Sequence, residues 1–267
     1  HLDYQALKAY TFKASLEDNL GNVSASHIVI NVPMPNGSLT AFKIVESPVY
    51  EMGLTEKYPE MKTFLGYNPN HPTWSARFDI TPAGFHGMIL GTDKGTIFID
   101  PIMHLGDINH YFSYYKDDFK RENEQLICHL DEEVPFSTTS SNNNGIIKSF
   151  GSCELRTYRL AVSATGEYTA FHGGSAANAI AAQVTTMNRV NGIYERDMAI
   201  TMTIIANNNL LIYTNTGSDP FTNGNPNTMI NQNQTNTDAV IGSANYDIGH
   251  VFGTNSGGLA GLGVVCS

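Results

Sequence analysis

Positively charged residues are scarce in this 267-residue chain. It contains 15 Lys and Arg against 25 Asp and Glu, which gives a net charge of -10, and the basic residues are scattered along the sequence. Binding to nucleic-acid phosphates requires clustered Lys and Arg side chains. The composition therefore argues against a nucleic-acid partner.

Long hydrophobic runs are also missing. No stretch approaches the roughly 20 apolar residues that cross a bilayer, so we expect no membrane partner. Residues 1–19 lack the basic start and the apolar run of a signal peptide, a segment that a secreted protein would already have lost. Few basic residues and many Asn, Thr, Ser and Gly favour a secreted, extracellular bacterial protein.

Cysteine occurs only three times, at Cys128, Cys153 and Cys266. Three cysteines cannot all pair within one chain. An odd cysteine in a secreted protein indicates a free reactive thiol, a partner in another chain or a missing part of the protein.

Apolar residues are plentiful enough for a packed core, at 41% of the chain. In the first half they alternate with polar residues between turn-forming segments, which is typical of strands and hairpins. A short helix is predicted at residues 4–13. The predicted strands span residues 27–32, 39–45, 73–80, 84–90 and 96–99, with a further candidate at 126–130.

Residues 137–145 (Ser-Thr-Thr-Ser-Ser-Asn-Asn-Asn-Gly) interrupt this pattern. A polar run without periodicity predicts an exposed linker, which is a preferred site of proteolysis. Beyond it, strands and helices alternate, as expected for an α/β domain. The predicted elements are a strand at 156–163, a helix at 176–195, a strand at 199–206, a helix at 229–244, and apolar segments at 246–252 and 259–265.

Several segments together resemble one known family. In the second half they are Arg156-Thr-Tyr-Arg-Leu-Ala-Val-Ser, Met187-Asn-Arg-Val-Asn-Gly-Ile-Tyr-Glu, Asp247-Ile-Gly-His-Val-Phe and Gly257-Gly-Leu-Ala-Gly-Leu-Gly-Val-Val-Cys. This half resembles the opening of the reprolysin/adamalysin-like metzincins, which are zinc metallopeptidases. The first half is similar to the propeptides of secreted bacterial members at Phe42-Lys-Ile-Val-Glu-Ser-Pro, Lys57-Tyr-Pro-Glu-Met-Lys and Ala76-Arg-Phe-Asp-Ile-Thr-Pro. The resemblance spans residues 27–267.

The zinc helix that defines this family has the pattern His-Glu-x-x-His-x-x-Gly-x-x-His. It supplies three zinc ligands and a Glu general base. None of the nine histidines here is followed by Glu with a second His four positions on. In the family this helix comes shortly after the position of Cys266. The resemblance therefore implies zinc as cofactor with its ligands outside this chain, the remaining C-terminal part of the catalytic domain as partner, and a chain that is inactive alone.

The resemblance also implies a substrate-binding segment at Gly258, Leu259, Ala260 and Gly261. In metzincins the matching segment includes the edge strand that lines the cleft. An extended peptide or protein substrate pairs with that strand, backbone to backbone. The alternative is a plain Gly-rich loop that leads into a buried strand.

Cys128 is the only cysteine before the linker, and the resemblance makes it a candidate latency residue. Some metallopeptidase propeptides hold the zinc inactive through one cysteine, whose thiolate displaces the catalytic water. The alternative is a buried, inert cysteine or a disulfide. Cys153 and Cys266 pair either with each other or with cysteines elsewhere in the protein, and the sequence leaves both options open.

Calcium is a second metal that the sequence allows. Asp219, Asn223 and Asn225 alternate in one loop, without the Gly and the terminal Glu of an EF-hand. Glu154 and Glu167 are further carboxylates near the start of the second half. The histidines that lack metal-binding spacing, and that we expect to be structural, are His104, His110, His172 and His250.

These observations predict an α+β protein with a β-rich propeptide at 1–137. A linker or activation region follows at 138–152, and the N-terminal portion of a metzincin-like α/β catalytic domain occupies 153–267. The predicted function is that of a secreted zinc metalloendopeptidase zymogen, whose propeptide assists folding and blocks the cleft until it is cut. The alternative is a non-enzymatic, secreted, β-rich binding or adhesion module.

Overall fold

The computed structural model describes residues 1–20, 22–120, 154–255 and 257–261. Helices and a large antiparallel sheet occur side by side, which confirms the predicted α+β class. The predicted linker at 138–152, the candidate strand at 126–130 and all three cysteines lie outside the described residues. The division of the chain at that linker therefore stays a prediction.

Within residues 1–120 the structure describes an antiparallel meander of seven strands, each hydrogen-bonded to the next along the chain. Its first hairpin closes at Gly37, whose φ of 83° is one that L side chains avoid. Ile30 and Val32 on one strand and Phe42 and Ile44 on the next are buried in the same core. The strands are β1 (Val29–Pro33), β2 (Leu39–Glu46), β3 (Lys62–Tyr67), β4 (Ser75–Thr81), β5 (Gly84–Thr92), β6 (Gly95–Pro101) and β7 (Tyr111–Tyr115).

Three helices accompany this sheet. They are α1 (Tyr4–Thr11), α2 (Glu17–Leu20) and α3 (Met52–Lys57). The first begins at Asp3, whose carboxylate accepts a hydrogen bond from the Ala6 backbone N–H at 3.0 Å, as a helix N-cap does. Its Tyr4 side chain is buried in the core of the sheet.

In the second half, the described residues from 154 onward form three parallel strands and three α-helices. They are β8 (Arg156–Ala164), α4 (Gly166–Phe171), α5 (Ala176–Met198), β9 (Ile200–Ile204), α6 (Pro226–Val240) and β10 (Ile248–Phe252). The strand order is β10-β8-β9, so β8 is central and the crossover from β8 to β9 runs through α5. None of the helices in the described ranges combines the length and the apolar character that crossing a bilayer requires.

Helix α5 packs between the two sheets and ends at Met198, with Ala199 as its C-cap. Ser175 caps its start by accepting a hydrogen bond from the Asn178 N–H. Ala199 adopts a left-handed conformation with φ 53° and ψ 44°, so the chain turns directly into β9.

The two halves of the chain share one hydrophobic core. Val49, Tyr50, Leu54 and Met61 of the first half are buried in the same cluster as side chains of the second half. Those partners are Leu160, Val162, Ile180, Ala181, Val184, Met187, Met202 and Ile204. Helix α5 therefore lies between the seven-stranded sheet and the parallel sheet and packs on both.

Candidate functional site

Gly258, Leu259, Ala260 and Gly261 lie on the surface after β10. All are exposed except Leu259, which is half-buried, and a Cβ on Gly258 would meet nothing within 4 Å. In the part of the chain that the structure describes, β10 has a strand neighbour on the β8 side only. The predicted substrate segment therefore follows an edge strand.

Helix α6 forms a groove with this segment. Leu259, Ala260 and Gly261 face Asn227, Ile230 and Asn231 across a cavity of about 410 Å³. A second cavity of about 600 Å³ lies further along the same helix and is lined largely by Asn, Gln and Thr. Amide side chains both donate and accept hydrogen bonds, so this surface is chemically suited to a peptide backbone.

Asp247 fixes the position of β10 against β8. Its carboxylate accepts hydrogen bonds from the Arg159 backbone N–H at 2.6 Å and from Nη2 of the same residue at 2.8 Å. The Arg159 guanidinium holds the pKa of Asp247 below its ordinary value. The Asp247 N–H in turn donates to the Arg159 carbonyl at 2.9 Å, and the register that follows pairs Ile248 with Leu160.

The candidate calcium ligands are held by local hydrogen bonds. The two carboxylate oxygens of Asp219 accept from the backbone N–H groups of Gly166 at 2.8 Å and Phe221 at 2.9 Å. Asn225 caps α6, and Asn223 bonds to Thr254. These contacts explain why the loop carries these residue types, and a calcium site there stays a prediction.

Two of the singled-out histidines form a contact between the two halves. Nε2 of His104, in the β6–β7 connection, lies 3.2 Å from Nδ1 of His172 at the end of α4. The rings of Tyr168 and Phe171 pack against His172. Burial, followed by the charge of His104, lowers the pKa of His172 to about 4.

A polar cluster under α5 is the feature that the sequence did not reveal. Asp79 on β4 is buried, and its Oδ1 accepts hydrogen bonds from Thr185 Oγ1 at 2.8 Å and contacts His86 Nδ1 at 2.9 Å. Asn188, also on α5, donates to the Phe78 carbonyl at 2.9 Å.

Charged pairs flank this cluster on both sides. The guanidinium of Arg77, on the same face of β4, donates to the Glu195 carboxylate. Arg189 of α5 pairs with Asp100 of β6 at 2.5 Å. The alternation of Arg77 and Asp79 with apolar residues on a predicted strand was the available signal that one face of β4 meets a polar partner.

Among the residues that the structure describes, no three His, Cys, Asp or Glu side chains come together as a metal site. Cys128, the predicted latency residue, lies outside the described ranges, and its role stays a prediction.

Comparison with known families locates one match. Residues 180–267 match the model of the reprolysin-like metallopeptidase family M12B. The matched region begins within α5 and includes β9, α6, β10 and the segment at 258–261. A search of curated proteins found no match. The family match supports a peptidase function for the second half, in a family that depends on zinc in general.

Proposed function

We propose that this chain is the propeptide and the front part of the catalytic domain of a secreted zinc metalloendopeptidase. The observation that carries the proposal is the match of residues 180–267 to the reprolysin-like metallopeptidases. The parallel β10-β8-β9 sheet with its exposed segment at 258–261 supports it, because that is where the family resemblance puts the substrate strand.

In this proposal the chain aligns the substrate. An extended peptide lies along residues 258–261 and exchanges backbone hydrogen bonds with them, as in β-augmentation. The Asn side chains of α6 on the other side of the groove bind peptide groups or polar side chains of the substrate. Zinc, held by ligands in the remaining part of the catalytic domain, would supply the Lewis-acid chemistry that polarises the scissile carbonyl and activates water.

The first half acts as a propeptide that assists folding and keeps the enzyme latent. The shared core supports the folding role, because β9 and α5 bury apolar side chains against residues 49–61. For latency we assign Cys128 as the residue that holds the zinc until the chain is cut within 138–152.

The test is peptide hydrolysis by the full-length protein encoded by the gene. We expect cleavage of an unfolded protein substrate that is abolished by a zinc chelator and restored by added zinc. A protein ending at Ser267 is the matched control and should be inactive under the same conditions.

Latency is tested separately with Cys128→Ser in the full-length protein. We expect hydrolysis before any processing, whereas the unprocessed parent stays inactive. Full-length protein that binds no zinc and cleaves no peptide would overturn the proposal and favour a secreted, non-enzymatic binding module.

A further inference from the structure

We propose that the seven-stranded sheet stays bound to the metallopeptidase part as a non-covalent complex after the chain is cut between them. The inference rests on the proposed function, since it concerns the fate of that enzyme after processing. The interaction surface is formed by α5 and the outer edge of β9, with a further contact at the end of α4, where His172 meets His104, and its partner is the chain's own N-terminal part.

Charge complementarity sets the register of this interface. A base on the sheet, Arg77, meets an acid on the helix, Glu195, while an acid on the sheet, Asp100, meets a base on the helix, Arg189. Arg77 is only 4% exposed and Asp79 only 1%. Because each side of the interface carries one acid and one base, a shift of the helix along the sheet would bring like charges together, and one docking position is favoured.

The apolar part of the interface is a core shared by both sides. Val49, Leu54 and Met61 from the N-terminal part pack with Ile180, Val184 and Ile204. Burying one such side chain contributes about 1.5 to 3 kcal/mol. Separation would expose both sets to water, so the docked state is strongly favoured even without a covalent link.

Backbone hydrogen bonds join the two parts as well. The Ile204 N–H donates to the Val49 carbonyl at 2.9 Å, and the Glu51 N–H donates to the Ile204 carbonyl at 2.8 Å. The Glu51 side chain accepts from the Ala206 N–H at 2.8 Å. The N-terminal part thus makes one parallel β-bridge, Tyr50 with Ile204, at the outer edge of β9, a limited form of the backbone pairing by which peptides add to a sheet edge.

The backbone bridge to β9 is at the opposite edge of the parallel sheet from β10, the strand that the predicted substrate segment follows. In the strand order β10-β8-β9 the N-terminal part joins beyond β9, whereas residues 259–261 face α6, which packs on β10. A substrate can therefore reach residues 258–261 while the seven-stranded sheet stays docked.

The experiment cuts the full-length protein at an engineered site. A recognition sequence for a specific protease is inserted between Ser140 and Ser141, and the cut protein is analysed by size-exclusion chromatography and native mass spectrometry. We expect both fragments in one complex at micromolar concentration. Fragments that separate without denaturant would overturn the inference.

A charge variant identifies the surface. Glu195→Lys opposes Arg77 with a like charge and should weaken the association of the cut fragments by about 100-fold. The matched control is Asp197→Lys, two residues further along, where the carboxylate pairs with the adjacent Arg196 in an exposed position. That variant should leave the complex intact, and equal weakening by both variants would contradict the assignment.

A milder change keeps the test decisive if Glu195→Lys does not fold. Glu195→Gln removes the charge without repulsion and should weaken the association by about 10-fold. If the cut fragments of Glu195→Gln associate as tightly as those of the parent protein, the assignment is wrong.

The readouts separate this inference from the proposed function. Chromatography reports docking whether or not the protein cleaves peptides. A stable cut complex without zinc-dependent hydrolysis would refute the proposed function and leave the docking intact. Hydrolysis that appears only when the N-terminal fragment dissociates would refute the docking inference alone.

Discussion

The hydroxyl of Thr185 on α5 donates a 2.8 Å hydrogen bond to the carboxylate of Asp79 on β4, across 106 positions of sequence. Asp79 is almost completely buried, and His86 contacts the same carboxylate oxygen at 2.9 Å. One carboxylate therefore connects the antiparallel sheet to the helix that supports the parallel sheet.

We expect Asp79→Ala to lower the free energy of unfolding by about 3 kcal/mol. The substitution leaves two partly buried groups, the Thr185 hydroxyl and the His86 ring, without their carboxylate partner, and an unsatisfied buried polar group costs about 1 to 3 kcal/mol. Urea denaturation monitored by fluorescence measures the change. Asp93→Ala, in the exposed β5–β6 turn, is the control and should change stability by less than about 0.5 kcal/mol.

Asn208 replaces a missing strand neighbour of β8. Its Oδ1 accepts from the Val162 N–H at 2.7 Å and its Nδ2 donates to the Val162 carbonyl at 3.0 Å, beyond the point where β9 ends. We expect Asn208→Leu to destabilise the protein by about 3 kcal/mol, because the buried Val162 N–H and the Gln183 Oε1 lose the hydrogen bonds that Asn208 makes with them. The Val162 carbonyl keeps a second donor, Gln183 Nε2, at 3.1 Å. Thermal unfolding measures the destabilisation, and the same loss for Asn70→Leu at an exposed position would refute the explanation.

Acid should destabilise the fold through His172. The pKa of this imidazole falls from 6.5 to about 4 in the folded protein, mainly because of burial. Between these values the unfolded chain binds more protons, so stability decreases as the pH falls from about 6.5 to about 4. We expect His172→Gln to flatten the dependence of Tm on pH across this window.

The control for this pH dependence is His27→Gln, at an exposed position. It should keep the slope of the parent protein. An unchanged slope in His172→Gln would show that another group senses the acid.

The substrate segment is tested with Ala260→Pro in the full-length protein. Proline lacks a backbone N–H and fixes φ, so an extended peptide loses one hydrogen bond and its alignment. We expect KM to rise about 10-fold or more, since 1.4 kcal/mol corresponds to a factor of ten. Ala260→Ser keeps the N–H and should behave like the parent, and equal kinetics for Ala260→Pro would exclude backbone pairing at this position.

Periodicity predicted the regular elements well. The strand predicted at 39–45 is β2, and the helix predicted at 176–195 extends only three residues further, to Met198. In both cases one face of the element is buried and the other is polar, so the pattern in the sequence follows directly from the structure. The predicted helix at 229–244 begins earlier, at Pro226, because Asn225 provides the cap.

Other elements were not predicted because their sequence lacks a simple period. Strand β3 contains Gly66, which weakens a strand prediction, yet a Cβ there would lie 2.6 Å from the Phe78 ring. The glycine therefore reflects close packing between neighbouring strands. β7 and the short α4 were missed as well, and α4 has only six residues.

The site was predictable only in part. The segment at 258–261 came from family resemblance, and its place beside α6 required the fold. The contacts of α5 with β4 join residues about 110 positions apart. Periodicity within a short segment cannot predict which distant residues will meet.

The edge that residues 49–51 present to β9 has a consequence for protein synthesis. The strands of the antiparallel meander pair with their neighbours in sequence, so its contacts are more local than those of a sheet built with crossovers, which favours faster folding. This part is N-terminal, so it leaves the ribosome first and can fold during translation. When Ile204 is synthesised, the Val49 carbonyl and the Glu51 N–H can already be in place to pair with it. The order of the chain therefore allows the parallel sheet to assemble starting from β9, the strand that contacts the N-terminal part.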